Sequence, residues 1–247
     1  MEKISVIIIT KNEESQIEDC LKSVSWADEI IVVDSESTDR TIDISKKYTN
    51  KIYIRKWEGY APQKSYALSL AGNEWVLSLD ADERITDNLK NEIMQNDFSR
   101  FDGYRILREN YFLDKLIISC GWGTDSQLRL FKRDKTTLTD RLVHEGFTVN
   151  GKIGILKHPM THFTYNSMEK AITKINHDSS LQAIEMCEKK GKVTGIKIIA
   201  HGIAAFYKSF IGLKGYKDGV YGFCIAFIDS LTNFLTYIKI WEIQNKV

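Results

Sequence analysis

Short apolar runs alternate with helical segments through the first third of the chain, and this alternation constrains the fold most. Each run is nearly continuous in apolar character, which is typical of a strand buried on both faces. Strands that alternate with helices predict right-handed crossovers and an α/β fold with a mostly parallel sheet flanked by helices. The predicted strands are Ser5–Thr10, Glu29–Asp34, Lys51–Ile54 and Trp75–Leu79, and the predicted helices end at Val24, Lys46 and Leu70.

Polar and acidic residues stand where the predicted strands end. Asn12 and Glu13 follow the first strand, Asp34 ends the second, and Asp80 and Asp82 follow the fourth. In an open sheet of this kind, ligands bind beyond the carboxyl ends of the strands. The sequence therefore predicts a polar binding site along one edge of the sheet.

The segment Asp80-Ala81-Asp82 suggests a metal site at that edge. Residues i and i+2 of an extended strand point to the same side, so the two carboxylates would converge. Oxygen ligands suit a hard cation such as Mg²⁺ or Mn²⁺, which also binds phosphate oxygens. The alternative is a strand that runs into the acidic start of a helix at Thr86-Asp87-Asn88. The other polar strand ends favour the metal-and-phosphate interpretation.

Composition excludes several classes of protein. The 247 residues fit one domain, or one domain with an appendage, and the net charge of +1 provides no general attraction for nucleic acid. The four cysteines form no C-x-x-C pair, which argues against a zinc site or a disulfide framework and predicts a reducing compartment. No signal peptide is expected from the first residues. Without a G-x-G-x-x-G or P-loop motif, dehydrogenase and NTPase functions are disfavoured.

Seven segments of the chain form a recognisable series of motifs: Ser5–Glu14, Val33–Thr41, Gln63–Leu68, Leu79–Glu83, Gln127–Phe131, Val143–Glu145 and His162–Tyr165. With these motifs in this order, the chain resembles the inverting, GT-A-fold family 2 glycosyltransferases. The resemblance is closest to the bacterial branch that contains the lipopolysaccharide core β-1,4-glucosyltransferases, and it extends over nearly the whole chain. One departure is Glu36, at a position where that branch usually has glycine.

The resemblance implies a nucleotide-sugar donor at the polar edge. Thr10, Glu13 and Asp34 would contact the uridine half of a UDP-sugar, and Asn12 is a further donor-binding candidate. The alternative for Asp34 is helix capping after a strand, and for the nearby Asp39 capping is the preferred interpretation.

The resemblance also implies a divalent cation, Mg²⁺ or Mn²⁺, between the donor phosphates and the protein. Asp82 and Asp80 are the first candidates for its ligands, and Asp80 is also a candidate for sugar and ribose contacts. His162 is the third candidate ligand, although a lone histidine is often only hydrogen-bonded within the protein. Lys64 and Arg129 are candidates for binding the diphosphate, with Arg129 also able to reach the acceptor. A solvated helix face is the alternative for Lys64.

An inverting transfer requires a base that takes the proton of the attacking hydroxyl, which contributes about 10²–10⁴-fold to the rate. By resemblance, Glu145 is the candidate catalytic base. The alternative is a solvent-exposed glutamate in a turn before Gly146.

The remainder of the chain is predicted to be helical, so that a domain 1–165 precedes a helical region 166–247. Ser167–Lys189 is predicted as one amphipathic helix with Ser167 as its N-cap. Ile196–Trp241 is apolar and aromatic with interspersed lysines, and its longest uncharged stretch, Gly219–Ile228, is too short to cross a bilayer. These helices either lie in a membrane surface or pack on one another or on a partner subunit of a homodimer.

The leading prediction is metal-dependent inverting transfer of a hexose, with glucose and UDP implied by the resemblance, to a lipid-linked or oligosaccharide acceptor of the bacterial cell envelope. The predicted location is cytoplasmic and peripheral on the inner face of the membrane. A sugar-phosphate nucleotidyltransferase is one alternative, but it would normally carry a Gly-rich, Arg-containing loop where this chain has Thr10–Glu14. A non-catalytic sugar-nucleotide-binding protein is the other, and it would not need a base.

Overall fold

A computed structural model of the chain describes residues 2–139, 146–189 and 191–245. The chain divides into two compact units, one of residues 1–109 and 125–162 and one of residues 110–124 and 163–247. The units are not continuous in sequence, because segment 110–124 groups with the C-terminal residues. The predicted domain boundary after residue 165 stays a prediction.

The first unit begins with the predicted alternation of strands and helices. Its first four strands are parallel and lie in the order β3-β2-β1-β4. The helices and strands agree with the predicted ones to within a few residues at each end. They are β1 (Ile4–Thr10), α1 (Ile17–Ser23), β2 (Glu29–Asp34), α2 (Thr41–Ser45), β3 (Ile52–Ile54), α3 (Tyr60–Leu70) and β4 (Trp75–Asp80).

The sheet continues with antiparallel strands from later in the chain. β8 pairs with β4 and β6 pairs with β8, both antiparallel, while β12 pairs antiparallel with β5. The ranges are β5 (Glu83–Arg84), α4 (Asp87–Gln95), β6 (Gly103–Phe112), β7 (Lys115–Leu116), β8 (Ser126–Lys132), β9 (Thr136–Leu138), β10 (Phe147–Val149), β11 (Ile153–Ile155) and β12 (Met160–Tyr165).

Apolar side chains cover both faces of the parallel strands. Along β1, Val6 and Ile8 belong to the core beneath α1, whereas Ile7 belongs to the core beneath α3. Burial on both faces explains why the strand is apolar from Val6 to Ile9 without interruption rather than at alternate positions. The polar residues at the strand ends are thereby fixed at one edge of a rigid sheet.

The second unit contains three long helices. They are α5 (Met168–Cys187), α6 (Gly195–Tyr207) and α7 (Val220–Asn245), with a π-helical turn Lys208–Gly212 and a 3₁₀ turn Gly215–Asp218 between α6 and α7. Ser167 caps α5, because its side chain accepts a hydrogen bond from the backbone N–H of Lys170 at 3.1 Å.

Helix α7 is long and apolar enough to cross a bilayer, judged by length and composition alone. Of its most apolar window, 39% is buried within the structure, and a core helix of a soluble protein can meet the same criteria of length and composition. The helix is therefore weak evidence for a membrane span, and the expectation that no segment crosses the membrane stays a prediction.

Candidate active site

The ends of β1 and β2 place two of the predicted donor-binding residues side by side. Thr10 and Asp34 are directly paired in the parallel register, and both are buried. Asp34 accepts a hydrogen bond from the backbone N–H of Ser37 at 2.7 Å and another from the Ser37 hydroxyl. The Thr10 hydroxyl is buried and has no hydrogen-bond partner in the part of the chain that the structure describes.

The loops after β1 and β2 are joined by hydrogen bonds. The side-chain oxygen of Asn12 accepts a hydrogen bond from the backbone N–H of Thr38 at 2.8 Å, and the Asn12 backbone N–H donates to the Ser37 hydroxyl at 2.7 Å. The Glu13 backbone N–H donates to the Thr41 hydroxyl at 2.8 Å. Asn12 thus fixes the shape of this edge, and contacts of Asn12 and Glu13 with a donor stay predictions.

Glu36 and Asp39 define the turn after β2. Glu36 has φ 57°, in the left-handed region that favours glycine, which explains why glycine suits this position. Asp39 accepts hydrogen bonds from the backbone N–H groups of Thr41 and Glu14, both at 3.0 Å. These bonds lie in the turn before α2, whose N-cap is Arg40 without a side-chain capping bond, so the capping interpretation of Asp39 stays a prediction.

Asp80, the last residue of β4, lies between two buried cations. The Lys64 ammonium is 3.2 Å from Asp80 Oδ1, and Arg129 Nη2 donates to Asp80 Oδ2. Lys64 is 7% exposed and Arg129 is 5% exposed, so the solvated-face alternative for Lys64 is wrong. Although burial opposes ionisation, the charges of Arg129 and Lys64 hold the pKa of Asp80 well below its usual range.

Glu83 joins Asp80 to a wider charge network. Its side chain is fully buried, and Oε2 accepts a hydrogen bond from the Asp80 backbone N–H at 3.0 Å. Its other oxygen accepts hydrogen bonds from Arg129 and from Arg108, the latter at 3.3 Å. Arg108 also donates through Nε to Asp125 at 2.7 Å. Sequence reasoning assigned no role to Glu83 or Arg108, and the only available signal was the acidic residue that follows Asp80-Ala81-Asp82.

Asp82 lies beside His162. β4 ends at Asp80, and Asp82 stands in a turn before β5, so the strand-alternation argument for the two aspartates was wrong. His162 on β12 pairs with Glu83 on β5, and its Nε2 is 3.4 Å from Asp82 Oδ2. The acidic helix start named as the alternative also exists, because the Thr86 side chain caps α4. Antiparallel pairing of distant strands, rather than strand alternation, brings Asp82 and His162 together.

The three candidate metal ligands do not form a ready-made cage. Within residues 2–139, 146–189 and 191–245 no cluster of three or more acidic, histidine or cysteine side chains is arranged to hold an ion. Both oxygens of Asp80 contact cationic groups, whereas Asp82 and His162 present an oxygen and a nitrogen side by side. Mg²⁺ and Mn²⁺ usually bind few protein ligands together with substrate phosphates. The residues therefore fit an ion whose coordination the donor phosphates complete.

The predicted base Glu145 lies outside the residues that the structure describes. Its role stays a prediction.

Comparison with known proteins places the chain in a family. The model of glycosyl transferase family 2 matches residues 5–109. An uncharacterized glycosyltransferase of Rickettsia conorii is 33% identical over 256 residues, covering 98% of this chain and 90% of that protein. The chain belongs to glycosyltransferase family 2. The sugar-phosphate nucleotidyltransferase alternative is thereby wrong.

Two further similarities extend over almost the whole of this family 2 glycosyltransferase. The lipopolysaccharide core biosynthesis glycosyltransferase LpsC of Rhizobium meliloti is 29% identical over 254 residues, which cover 97% of this chain and 92% of LpsC. The solved mannosyltransferase PcManGT of Pyrobaculum calidifontis, in complex with GDP-Man and Mn²⁺, has a TM-score of 0.50 at 17% identity, covering 99% of this chain and 87% of that one. The predicted GT-A α/β fold is confirmed.

Proposed function

We propose that this family 2 glycosyltransferase transfers a hexose from a UDP-sugar, with inversion at the anomeric carbon, to a glycan acceptor of the bacterial cell envelope. The observation that carries the proposal is a set of buried polar atoms without protein partners, within the described residues, at the carboxyl edge of the sheet. They are the Thr10 hydroxyl, Gln63 Oε1 and Arg129 Nε. Buried polar groups normally have hydrogen-bond partners, so this edge is suited to a polar ligand.

The donor half of the site contains buried positive charges that suit a diphosphate. Lys64 and Arg129 are buried at the end of β4, where their charges are weakly screened by water. They orient Asp80, which would contact the ribose or the transferred sugar. Asp82 and His162 would hold a divalent cation, Mg²⁺ or Mn²⁺, together with the donor phosphates. When bound, this cation supplies positive charge to the departing diphosphate.

The acceptor half requires Glu145. In the proposed transfer, an acceptor hydroxyl oxygen forms a bond to the anomeric carbon from the face opposite the diphosphate. The bond from that carbon to the phosphate oxygen breaks, UDP leaves, and the hydroxyl proton passes to the Glu145 carboxylate. Attack from the opposite face inverts the anomeric configuration.

The identities of donor and acceptor rest on resemblance. Glucose and UDP are implied by the motifs shared with the core β-1,4-glucosyltransferases. The name of LpsC supports an acceptor in lipopolysaccharide core synthesis, which would be lipid-linked. We propose a cytoplasmic enzyme that is peripheral on the inner face of the membrane, as a monomer or a homodimer, with no nucleic-acid partner.

A donor screen tests the proposal. Purified full-length protein is incubated with UDP-glucose, other UDP-hexoses and GDP-mannose, with a core oligosaccharide acceptor and with Mg²⁺ or Mn²⁺, and released nucleoside diphosphate is measured. The expected result is acceptor-dependent release from UDP-glucose that exceeds release from the other donors. Preferential turnover of GDP-mannose, or donor binding without turnover, contradicts the proposal.

The Glu145→Gln variant distinguishes catalysis from binding alone. Glutamine keeps the shape of the side chain but cannot take up the proton, so turnover should fall by about two to four orders of magnitude while donor affinity is retained. Near-normal turnover with the native acceptor would show that another carboxylate is the base.

A further inference from the structure

The α6–α7 hairpin exposes many large apolar side chains. Ile196 is 82% exposed and Val220 is 75% exposed, well beyond what scattered surface residues require. We call this set the hairpin face. Its members are Ile196, Ile199, Ile203, Tyr207, Ile211, Leu213, Tyr216, Val220, Phe223 and Phe227.

The members of the hairpin face on α6 form a stripe and not a chance scatter. The four members on α6 follow each other at intervals of three, four and four residues, which places them on one helical stripe. The other side of α6 packs on α7 at Gly202, whose carbonyl accepts a hydrogen bond from the Ser230 hydroxyl at 2.8 Å. The ring of Phe223 on α7 is 5.6 Å from that of Phe206 and 6.0 Å from that of Phe210, two half-buried rings, so this member of the hairpin face packs on residues of α6 and of the turn after it.

The exposed charges within residues 191–228 are all lysines, and the half-buried Asp229 follows on α7 with its charge near Lys208. Five lysines within residues 191–228 are exposed: Lys192, Lys197, Lys208, Lys214 and Lys217. Asp218 is the only carboxylate in that stretch, and it is 5% exposed. Asp218 accepts hydrogen bonds from the backbone N–H groups of Ile118 and Ser119, at 3.2 and 3.0 Å. The surface therefore offers apolar side chains and ammonium groups, with no exposed carboxylate among these residues.

We infer that the hairpin face binds the surface of an anionic lipid bilayer. Aromatic and aliphatic side chains enter the interfacial zone, while the lysines contact lipid phosphates. A second copy of the chain fits less well, because a two-fold symmetric contact of this face would bring lysines together without carboxylates to pair with them.

Polar contacts on α7 favour a surface position over a bilayer crossing. The Lys239 ammonium donates hydrogen bonds to Ser179 and Ser180 on α5, both at 2.8 Å. These bonds hold α7 against a helix with a largely polar and exposed outer side. A charged group and its polar partners are costly at the centre of a bilayer.

This inference rests on the proposed peripheral location, and its test uses neither donor nor acceptor. A failure therefore leaves the proposed transfer reaction standing, and a failed donor screen leaves the surface binding standing. The full chain is mixed with sucrose-loaded vesicles of phosphatidylcholine alone, or with about one-third phosphatidylglycerol, and sedimented. We expect binding only to the anionic vesicles, with an affinity that falls as salt is added.

Paired variants assign the binding to the hairpin face. Lys208→Gln with Lys217→Gln should weaken binding about thirtyfold, since each lysine near anionic lipid contributes about 1 kcal/mol. The matched control is Lys152→Gln with Lys157→Gln, two exposed lysines of the first unit, which should bind like the unmodified protein.

A second pair tests the apolar contribution. Ile199→Ser with Ile203→Ser should reduce vesicle binding at least tenfold, at about 0.8 kcal/mol for each buried CH₂ that is lost. Ile153→Ser with Ile155→Ser changes two exposed isoleucines of β11 and should leave binding intact.

Three results would overturn the inference. The first is equal sedimentation with neutral and anionic vesicles. The second is a dimer in sedimentation equilibrium that Ile199→Ser with Ile203→Ser abolishes, because the face would then be a subunit interface. The third is protein that stays with membranes after alkaline and high-salt washing, which would indicate a spanning helix. The salt dependence of the unmodified protein remains a test even if a variant fails to fold.

Discussion

At the polar edge, the hydrogen bonds of single buried residues hold the site in shape without a ligand. Glu83 has no exposed surface, and its two oxygens bind two arginines and the backbone of Asp80. Such a carboxylate positions its neighbours instead of reacting. Removing one member of a buried charge network leaves the others uncompensated, which costs more than the network contributed.

Glu83→Gln should therefore destabilise the protein by about 3 kcal/mol, because Arg129 and Arg108 lose a buried counter-charge. Glu74→Gln is the matched control: Glu74 also pairs with a cation, Lys132, at 3.3 Å, but its side chain is 57% exposed. The control should cost less than about 1 kcal/mol. Urea unfolding measures both, and equal losses would show that the network does not depend on burial.

Glu36 carries a backbone conformation that suits glycine. A φ of 57° costs a residue with a side chain about 1–3 kcal/mol. Glycine avoids this cost, but it loses about 0.5–1 kcal/mol because its unfolded state has more conformational freedom. Glu36→Gly should thus raise the free energy of unfolding by up to about 2.5 kcal/mol. Lys56→Gly, at an exposed position outside the left-handed region, should lower it. Loss of stability in Glu36→Gly would mean that the side chain itself holds the turn.

At the scale of elements, local patterns were predictable and distant pairings were not. The apolar runs located β1, β2 and β4 because buried strands are apolar along their whole length. The partners of β8 and β12 could not be found, because antiparallel pairing across tens of residues leaves no periodic signal. For that reason His162 reached the list of site residues through family resemblance, Arg129 reached it through its position between Leu128 and Leu130 in a predicted strand, and Arg108 did not reach it.

Burial of polar side chains was the other limit on prediction. Lys64 lies on α3 beside the buried Gln63 and Ala67, and nothing in the local pattern distinguishes it from a solvated lysine. Asp80 and Asp82 were expected to point to the same side as in a strand, whereas Asp82 belongs to a turn after β4. Lys64 and Asp82 are both residues whose surroundings come from other parts of the chain.

The packing of α6 on α7 depends on Gly202. A Cβ at this position would lie 2.2 Å from the Phe234 ring, so Gly202→Ala should destabilise the protein by about 1–3 kcal/mol. Gly195→Ala is the matched control in the same helix, because nothing lies within 4 Å of its added Cβ. The control should be neutral or stabilising by up to about 1 kcal/mol. Thermal unfolding that ranks the two variants the other way would contradict the described helix packing.

Asp229 on α7 gives a pH dependence of defined sign. Burial raises its pKa above the usual value, although Ser209 and Lys208 oppose the shift. Below the unfolded-state pKa of about 3.9 the group is protonated in both states and contributes nothing. As the pH rises through the folded-state pKa, the buried carboxylate ionises and stability is lost.

Asp229→Asn should therefore be more stable than the unmodified protein at neutral pH, and the difference should vanish as the pH falls below about 4. Urea unfolding across that pH range measures the effect. A difference that is the same at every pH would show that Asp229 stabilises through hydrogen bonding and not through its charge.

For the molecule as a whole, the net charge of +1 is a sum over two units in which the charges are arranged differently. The first unit buries cations and carboxylates together at the edge of the sheet, where they balance each other around Asp80. The second unit exposes lysines without nearby exposed carboxylates along residues 191–228. Buried, balanced charge suits the binding of a compact diphosphate, and exposed charge of one sign suits an extended anionic surface.

The central claim is that Asp82, with His162, holds the cation on which sugar transfer depends. The direct measurement is acceptor-dependent UDP release by the unmodified protein, with and without excess chelator, beside Asp82→Asn and the exposed control Asp87→Asn. We expect chelator and Asp82→Asn each to reduce the rate by about a hundredfold or more, because a bound cation contributes several kcal/mol to the transition state. Asp87→Asn should keep its activity. Undiminished turnover in excess chelator, or in Asp82→Asn, would contradict the account.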